Sequence, residues 1–151
     1  MREILFRGKR DKAYCASQDW TYGVPFIDHE GDCIFKTDTF ERVVDPETVG
    51  QYTGSTDKNG KKIFEGDVVD FYFFDKGHKN TKTMLIEWRD NGFGMRELYR
   101  NYRLADDLSI ISEKIFTYRG DIRNGVYKTN NTYFVEVIGN VHDNPELLKG
   151  E

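Results

Sequence analysis

The sequence predicts a mainly β protein, with a small N-terminal β lobe over residues 1–47 and a barrel-like, SH3-like antiparallel meander over 48–151, packed as one globular unit. Two observations carry that reading. Aromatic residues make up 15% of the 151 residues, with 11 Phe and 9 Tyr, while alanine occurs only at Ala13, Ala16 and Ala105; this balance suits pleated, half-buried strands better than helices. Short apolar runs are also separated by Gly, Asn and Asp signals at nearly every junction, the punctuation of an all-β chain.

Ile4 to Phe6 is a short apolar run that meets Arg7-Gly8-Lys9-Arg10, and Trp20 to Ile27 is an aromatic run interrupted by Gly23 and Pro25; both read as strands with turns or edges. Asp28-His29-Glu30-Gly31-Asp32 is a polar turn ahead of Cys33-Ile34-Phe35. Asp45-Pro46-Glu47-Thr48 punctuates the chain, because proline is well tolerated at a first helical or turn position and pushes the residue before it to extended geometry. Asn59-Gly60 then reads as a two-residue hairpin turn, since that pair tolerates the positive backbone angles such loops require. Glu65-Gly66-Asp67 is a second tight turn into Val68 to Phe74, a run apolar on both faces and expected in the core. Met84, Ile86 and Trp88 alternate along the next strand, and Arg89-Asp90-Asn91-Gly92 closes a hairpin into Phe93 to Leu98. Leu104, Leu108, Ile111 and Ile115 recur at helical spacing, so one short helix is expected around 104–114. Asn130-Asn131 marks another hairpin, Tyr133, Val135 and Val137 share a strand face, and Gly139 ends or bends that strand. Pro145-Glu146-Leu147-Leu148 starts a terminal helical turn with Asn144 as its N-cap.

Four stretches identify a family. ILFRGKR with Trp20-Thr21-Tyr22-Gly23, the central strings Asp45 to Gly54 and Asp57 to Asp67, Ile86-Glu87-Trp88, and the ending Ile138 to Leu148 together resemble the YopX-like proteins, small products of phages and prophages in bacterial genomes. Two features depart from that pattern: roughly residues 110–132 read as an insertion, and Cys15 to Trp20 as a variable linker. The resemblance implies a mainly β fold, a phage or prophage origin and the cytoplasm of a bacterial host, and it carries over no catalytic activity.

Composition narrows the function classes. Net charge is −4, unlike a surface built throughout to neutralise phosphates. No apolar run approaches a membrane span, and the start has no apolar signal core, so a soluble, unexported chain is expected. Cys15 and Cys33 are too few for a disulfide framework and read as two ordinary thiols. Asp57-Lys58-Asn59-Gly60 begins like a calcium loop, but that loop needs Gly at its sixth position and a bidentate Glu at its twelfth, and here Gly60 falls at the fourth and Val68 at the twelfth. His29, His78 and His142 lack the spacing of zinc ligands; His29 and Cys33 are four apart, yet Gly31 breaks any helix between them. No metal site, catalytic residue or cofactor is expected.

The sequence therefore points to a non-enzymatic interaction or assembly module that forms homo-oligomers, with its protein or nucleic-acid partner unnamed and no membrane role. A second reading is a nucleic-acid-binding accessory protein that contacts phosphates through Arg7, Lys9, Arg10, Lys58, Lys61, Lys62, Lys76 and Lys79, with aromatic residues such as Tyr72, Phe73 and Phe74 as stacking platforms; those three are expected in the core instead. A third is an enzyme with an acid-base pair at His142 and Asp143, assisted by Asp67, Asp70 or Glu146; the turn-forming role of these residues weighs against it.

Overall fold

The computed structural model describes residues 3–75, 78–89, 92–98, 122–123, 126–128 and 132–148. It is mainly β, with two antiparallel sheets and, among the described residues, only two short 3-10 turns, at Pro46–Thr48 and Pro145–Leu148. The chain divides into two compact units, Met1–Gly54 and Ser55–Glu151. The helix expected around 104–114 lies outside the described residues.

In the first unit the strands are β1 (Phe6–Lys9), β2 (Trp20–Ile27), β3 (Cys33–Lys36), β4 (Glu41–Val43) and β5 (Gly50–Thr56), ordered β4-β3-β2-β1-β5. Phe35 and Val44, both fully buried, form the centre of its core with Cys33, and Phe6 and Val49 pack against them. Burial raises the Cys33 thiol pKa above its usual value. The strand anticipated from the Ile4 to Phe6 run begins at Phe6 and continues through Arg7, Gly8 and Lys9. Gly8 is a packing glycine: a Cβ there would come within 3.2 Å of Val49 and 3.4 Å of Phe35 and Val44. The 3-10 turn at Pro46–Thr48 forms as expected. Asp45 caps it by accepting the Glu47 N–H at 3.0 Å, and Thr48 Oγ1 accepts the Lys9 N–H at 2.8 Å, which ties the turn to β1.

β5 runs on across the unit boundary, and β6 (Lys62–Phe64) follows it in the strand order. The second unit adds β7 (Asp67–Asp75), β8 (His78–Arg89), β9 (Gly92–Glu97), β10 (Ile122–Arg123), β11 (Val126–Lys128) and β12 (Thr132–Asn140), ordered β10-β11-β12-β7-β8-β9. Two three-stranded meanders thus meet where β12 pairs with β7, Val137 opposite Val69 and Val135 opposite Phe71. This corrects the barrel expectation: the sheet is open, with β10 and β9 at its edges among the described residues. One face carries the core, in which Ile63, Val69, Phe71, Met84, Ile86, Phe93, Met95 and Val135 are all buried. β8 and β9 pair antiparallel with Arg89 opposite Gly92, and β11 and β12 with Lys128 opposite Thr132, while the expected turn residues Asp90-Asn91 and Asn130-Asn131 lie outside the described residues.

The β5–β6 hairpin differs from the two-residue turn expected at Asn59-Gly60. Asp57 N–H donates to the Lys61 carbonyl at 2.7 Å, Gly60 N–H donates to the Asp57 carbonyl at 3.0 Å, and Gly60 takes φ +82°, so three residues bridge the strands. The Asp57 carboxylate decides this geometry: Oδ1 accepts the N–H of Asn59 at 2.8 Å and of Lys61 at 2.9 Å. Oδ2 accepts the Val137 N–H of β12 at 3.0 Å, and the Lys58 N–H donates to the Val135 carbonyl at 2.8 Å. The loop thereby caps the edge of β12 just beyond Phe134, the last β12 residue paired with β11.

At the start of β7, Asp67 is fully buried and accepts the Phe64 N–H at 2.8 Å, while Gly66 turns the chain at φ +89°. At the far end of β12 the register shifts between Val137 and Gly139, the bend anticipated at Gly139. A Cβ on Gly139 would stand 2.6 Å from Asn144 Oδ1 and 2.8 Å from Leu147 Cδ1, so the terminal turn can close only over glycine. Asn144 Oδ1 accepts the Asn140 N–H at 3.3 Å, and the Asn144 carbonyl accepts the Leu147 N–H at 3.0 Å at the start of the turn.

Asp57→Ala leaves the Val137 N–H and two loop N–H groups without their acceptor, so unfolding in urea should show a loss of about 2–4 kcal/mol for this variant. Gly139→Ala should cost about 1–3 kcal/mol in the same assay, through forced displacement of Asn144 and Leu147.

Candidate interaction surface

β2 alternates in an inverted sense. Thr21, Gly23 and Pro25 point inward, and Gly23 lies against Phe35, where a Cβ would stand 3.8 Å from its ring. Small inward residues make room for Phe35, so the large side chains of β2 are sent outward. Tyr22 is 47% exposed, Val24 55% and Phe26 43%. Cross-strand register extends this stripe into rows. Phe26 faces Ile34 and Val43 across β3 and β4, and Val24 faces Lys36 and Glu41, which form an ion pair at 3.2 Å. Toward β1, Tyr22 faces Arg7 and Trp20 faces Lys9. The reading of sequence missed this surface, although its signal is present in Trp20-Thr21-Tyr22-Gly23-Val24-Pro25-Phe26: every second residue is large and apolar, and those between are small.

The eight cations proposed for phosphate contact are divided between the two units, three in the first and five in the second. Arg7 is only 6% exposed, and its guanidinium lies 4.5 Å from the Trp20 ring centroid, with Lys9 Nζ at 5.4 Å from the same ring. Arg10 bridges to Val44. In the second unit Lys58 pairs with Glu136 at 3.2 Å and lies 5.1 Å from the Tyr72 ring centroid, Lys61 is exposed and Lys62 half-buried. Lys76 lies outside the described residues, and Lys79 is placed by its backbone opposite Phe74.

Tyr72 corrects its expected core position. It sits on the sheet face away from the core, where its hydroxyl donates to Glu136 at 3.0 Å and reaches Asp70 at 3.4 Å, while Thr83 donates to Asp70 at 3.0 Å. Desolvation first, then the hydrogen bond to Glu136, pushes its pKa up to about 12. Glu136 is held below its usual range, chiefly by the hydrogen bond from Lys58 and next by that from Tyr72.

The acid-base candidates sit in a turn. Asn140 Oδ1 accepts the N–H groups of His142 at 3.0 Å and Asp143 at 2.9 Å, and Asn140 Nδ2 donates to the Asp143 carboxylate at 3.0 Å. A Cβ on Gly66 would lie 3.8 Å from His142 Nε2, which puts the imidazole against the turn that launches β7. At the β2–β3 hairpin, Asp28, Glu30 and Asp32 bring carboxylate oxygens within 4.8 Å of one another, and Tyr14 donates to Asp32 at 3.3 Å. Repulsion from Asp32 raises the Tyr14 pKa. None of the described helices is long and apolar enough to cross a membrane.

The family model described as YopX protein matches residues 5–149. The crystal structure of protein EF1440 from Enterococcus faecalis is similar in fold, with a TM-score of 0.50 and 21% identity over 98% of this chain and 99% of that one. No curated protein matches the chain.

A tyrosine whose folded pKa lies near 12 keeps its proton while the unfolded chain loses it near 10, so the native state's advantage is intact below pH 10 and falls as pH rises toward 12. Denaturation midpoints at pH 9 and pH 11.5 should fall further for the parent chain than for Tyr72→Phe, which lacks this titration.

Proposed function

Because the chain belongs to the YopX family, whose model spans residues 5–149, and β2 exposes an unbroken apolar stripe, we propose that it is a non-enzymatic interaction module of a phage or prophage that self-associates through this face. It works in the cytoplasm of the bacterial host. The observation that carries the reading is the outward row Tyr22, Val24 and Phe26, all more than 40% exposed. Single exposed apolar residues are ordinary on a protein surface; a contiguous run along one strand marks a contact site.

A second copy is the partner that fits. Lys36 and Glu41 sit in one row beside Val24 and pair with each other at 3.2 Å, so this part of the rim carries balanced charge that does not repel a second copy of the face. Aromatic residues at the centre with a charged rim are the usual composition of such contacts. The polar clusters of the second unit support a non-enzymatic reading, because Asp57, Asp67 and Asn140 all accept backbone N–H groups.

Sedimentation of the parent chain should show a dimer or larger species at micromolar concentration, and Val24→Asp should shift it to monomer without lowering its thermal midpoint, since Val24 is exposed. A parent chain that stays monomeric at high concentration would remove the self-association. A salt-sensitive gel shift with single-stranded or duplex DNA or RNA, lost in Lys9→Glu, would replace it with the nucleic-acid reading.

A further inference from the structure

The chain builds the same loop twice. In Asp28-His29-Glu30-Gly31-Asp32, Asp28 N–H donates to the Asp32 carbonyl at 3.0 Å and Gly31 N–H to the Asp28 carbonyl at 3.1 Å. Asp28 Oδ1 accepts the N–H of Glu30 and of Asp32, both at 2.9 Å, and Gly31 takes φ +88°. Bond for bond this is the Asp57 to Lys61 loop. Each loop leaves two polar groups over after its own bonds are made: the second carboxylate oxygen of the aspartate and the N–H of the next residue.

In the 57–61 loop those two groups hold a strand edge. Asp57 Oδ2 accepts the Val137 N–H and Lys58 N–H donates to the Val135 carbonyl, so the loop reads a carbonyl at one strand position and an N–H two positions on. The residue between them, Glu136, pairs with Lys58. A basic loop, with Lys58, Lys61 and Lys62, thus caps a strand that carries an acid. Asp57 is 1% exposed in consequence, whereas Asp28 is only half-buried and the His29 side chain is 90% exposed.

From this precedent we propose that the 28–32 loop is a docking site for an exposed β-strand edge of a partner polypeptide, with Asp28 Oδ2 and His29 N–H taking a strand N–H and carbonyl. Its charge is reversed relative to the loop already docked. Asp28, Glu30 and Asp32 stand within 4.8 Å of one another, so the strand it accepts carries Lys or Arg at the intervening position, where Glu136 stands in β12. Edge strands commonly carry lysine as a guard against aggregation, so the partner is an edge of that ordinary type. The contact is a hydrogen-bonded strand addition with a charged selector, and it does not depend on self-association of the β2 face.

The test titrates the full-length, isotope-labelled chain with two synthetic peptides, one with the sequence of residues 132–140 and one with Glu136→Lys in that sequence, and follows backbone amide shifts. The His29 amide and its neighbours should move with the Glu136→Lys peptide, with affinity at least ~3-fold above the unchanged peptide, a small difference suited to one exposed charge pair. His29→Pro removes the donor from a turn position where proline is well tolerated, and it should weaken binding by about 10-fold, the worth of one hydrogen bond. Absence of binding, equal affinity for both peptides, or an unchanged affinity in His29→Pro would each overturn the proposal. If His29→Pro loses its folded spectrum, Glu30→Lys decides: it should shift the preference toward the unchanged, Glu-bearing peptide, and an unaltered preference would overturn the assignment.

Discussion

The second unit depends on one buried carboxylate. Asp57 accepts three backbone N–H groups, two from its own loop and one from β12, a strand eighty residues away in sequence. Each acceptance satisfies a donor that strand pairing cannot reach, and buried donors left alone are costly. The residue type is dictated by the geometry. Glutamate places its carboxylate one carbon too far out to close the loop on Asn59 and Lys61, and asparagine offers one accepting oxygen where two are used. With Asp57 in place, the β5–β6 hairpin takes over from β11 as the neighbour of β12, and β12 is held against β7 with Val135 facing the core.

The first unit is organised by volume. Phe35 is fully buried, and the strands around it make room: Gly8 on β1 and Gly23 on β2 present no Cβ toward it. A core of this kind, with one large ring and small neighbours, satisfies close packing at low cost in chain length. Its consequence lies on the opposite face. Strand geometry sends successive side chains to opposite sides, so the residues excluded from the inner face of β2 leave Tyr22, Val24 and Phe26 outside. The exposed stripe and the packed core are two results of one alternation.

Strands, their order of appearance and most turns were legible because turn chemistry is local: Asp45-Pro46, Gly66-Asp67 and Gly139 each act through a backbone angle or a missing Cβ that the residue itself announces. Sheet closure was not legible, since an open six-stranded sheet and a barrel share the same strand patterns and differ only in whether the edge strands meet. The loop at Asp57 was misjudged because Asn59-Gly60 is a strong local signal, and the opposing carboxylate acts over four residues. Tyr72 was assigned to the core on its aromatic ring, but its hydroxyl, placed between Glu136 and Asp70, decides the face it occupies. The cations read as phosphate contacts were judged by charge alone. Arg7 shows the limit of that criterion, because register sets it opposite Tyr22, its guanidinium lies over the neighbouring Trp20 ring, and it is buried.

The paired loops explain how one local structure can serve both folding and recognition. A loop that satisfies itself internally is indifferent to its surroundings, and its two spare polar groups are spaced to match any strand edge, since backbone geometry is the same in every strand. What distinguishes one use from the other is side-chain charge. Lys58 and Glu136 attract across the docked pair, whereas the acidic 28–32 loop repels a strand such as β12 and so stays out of competition for it. Reversing the charge on a repeated loop is thus a way to keep intramolecular docking unique while retaining the hydrogen-bonding surface for another chain.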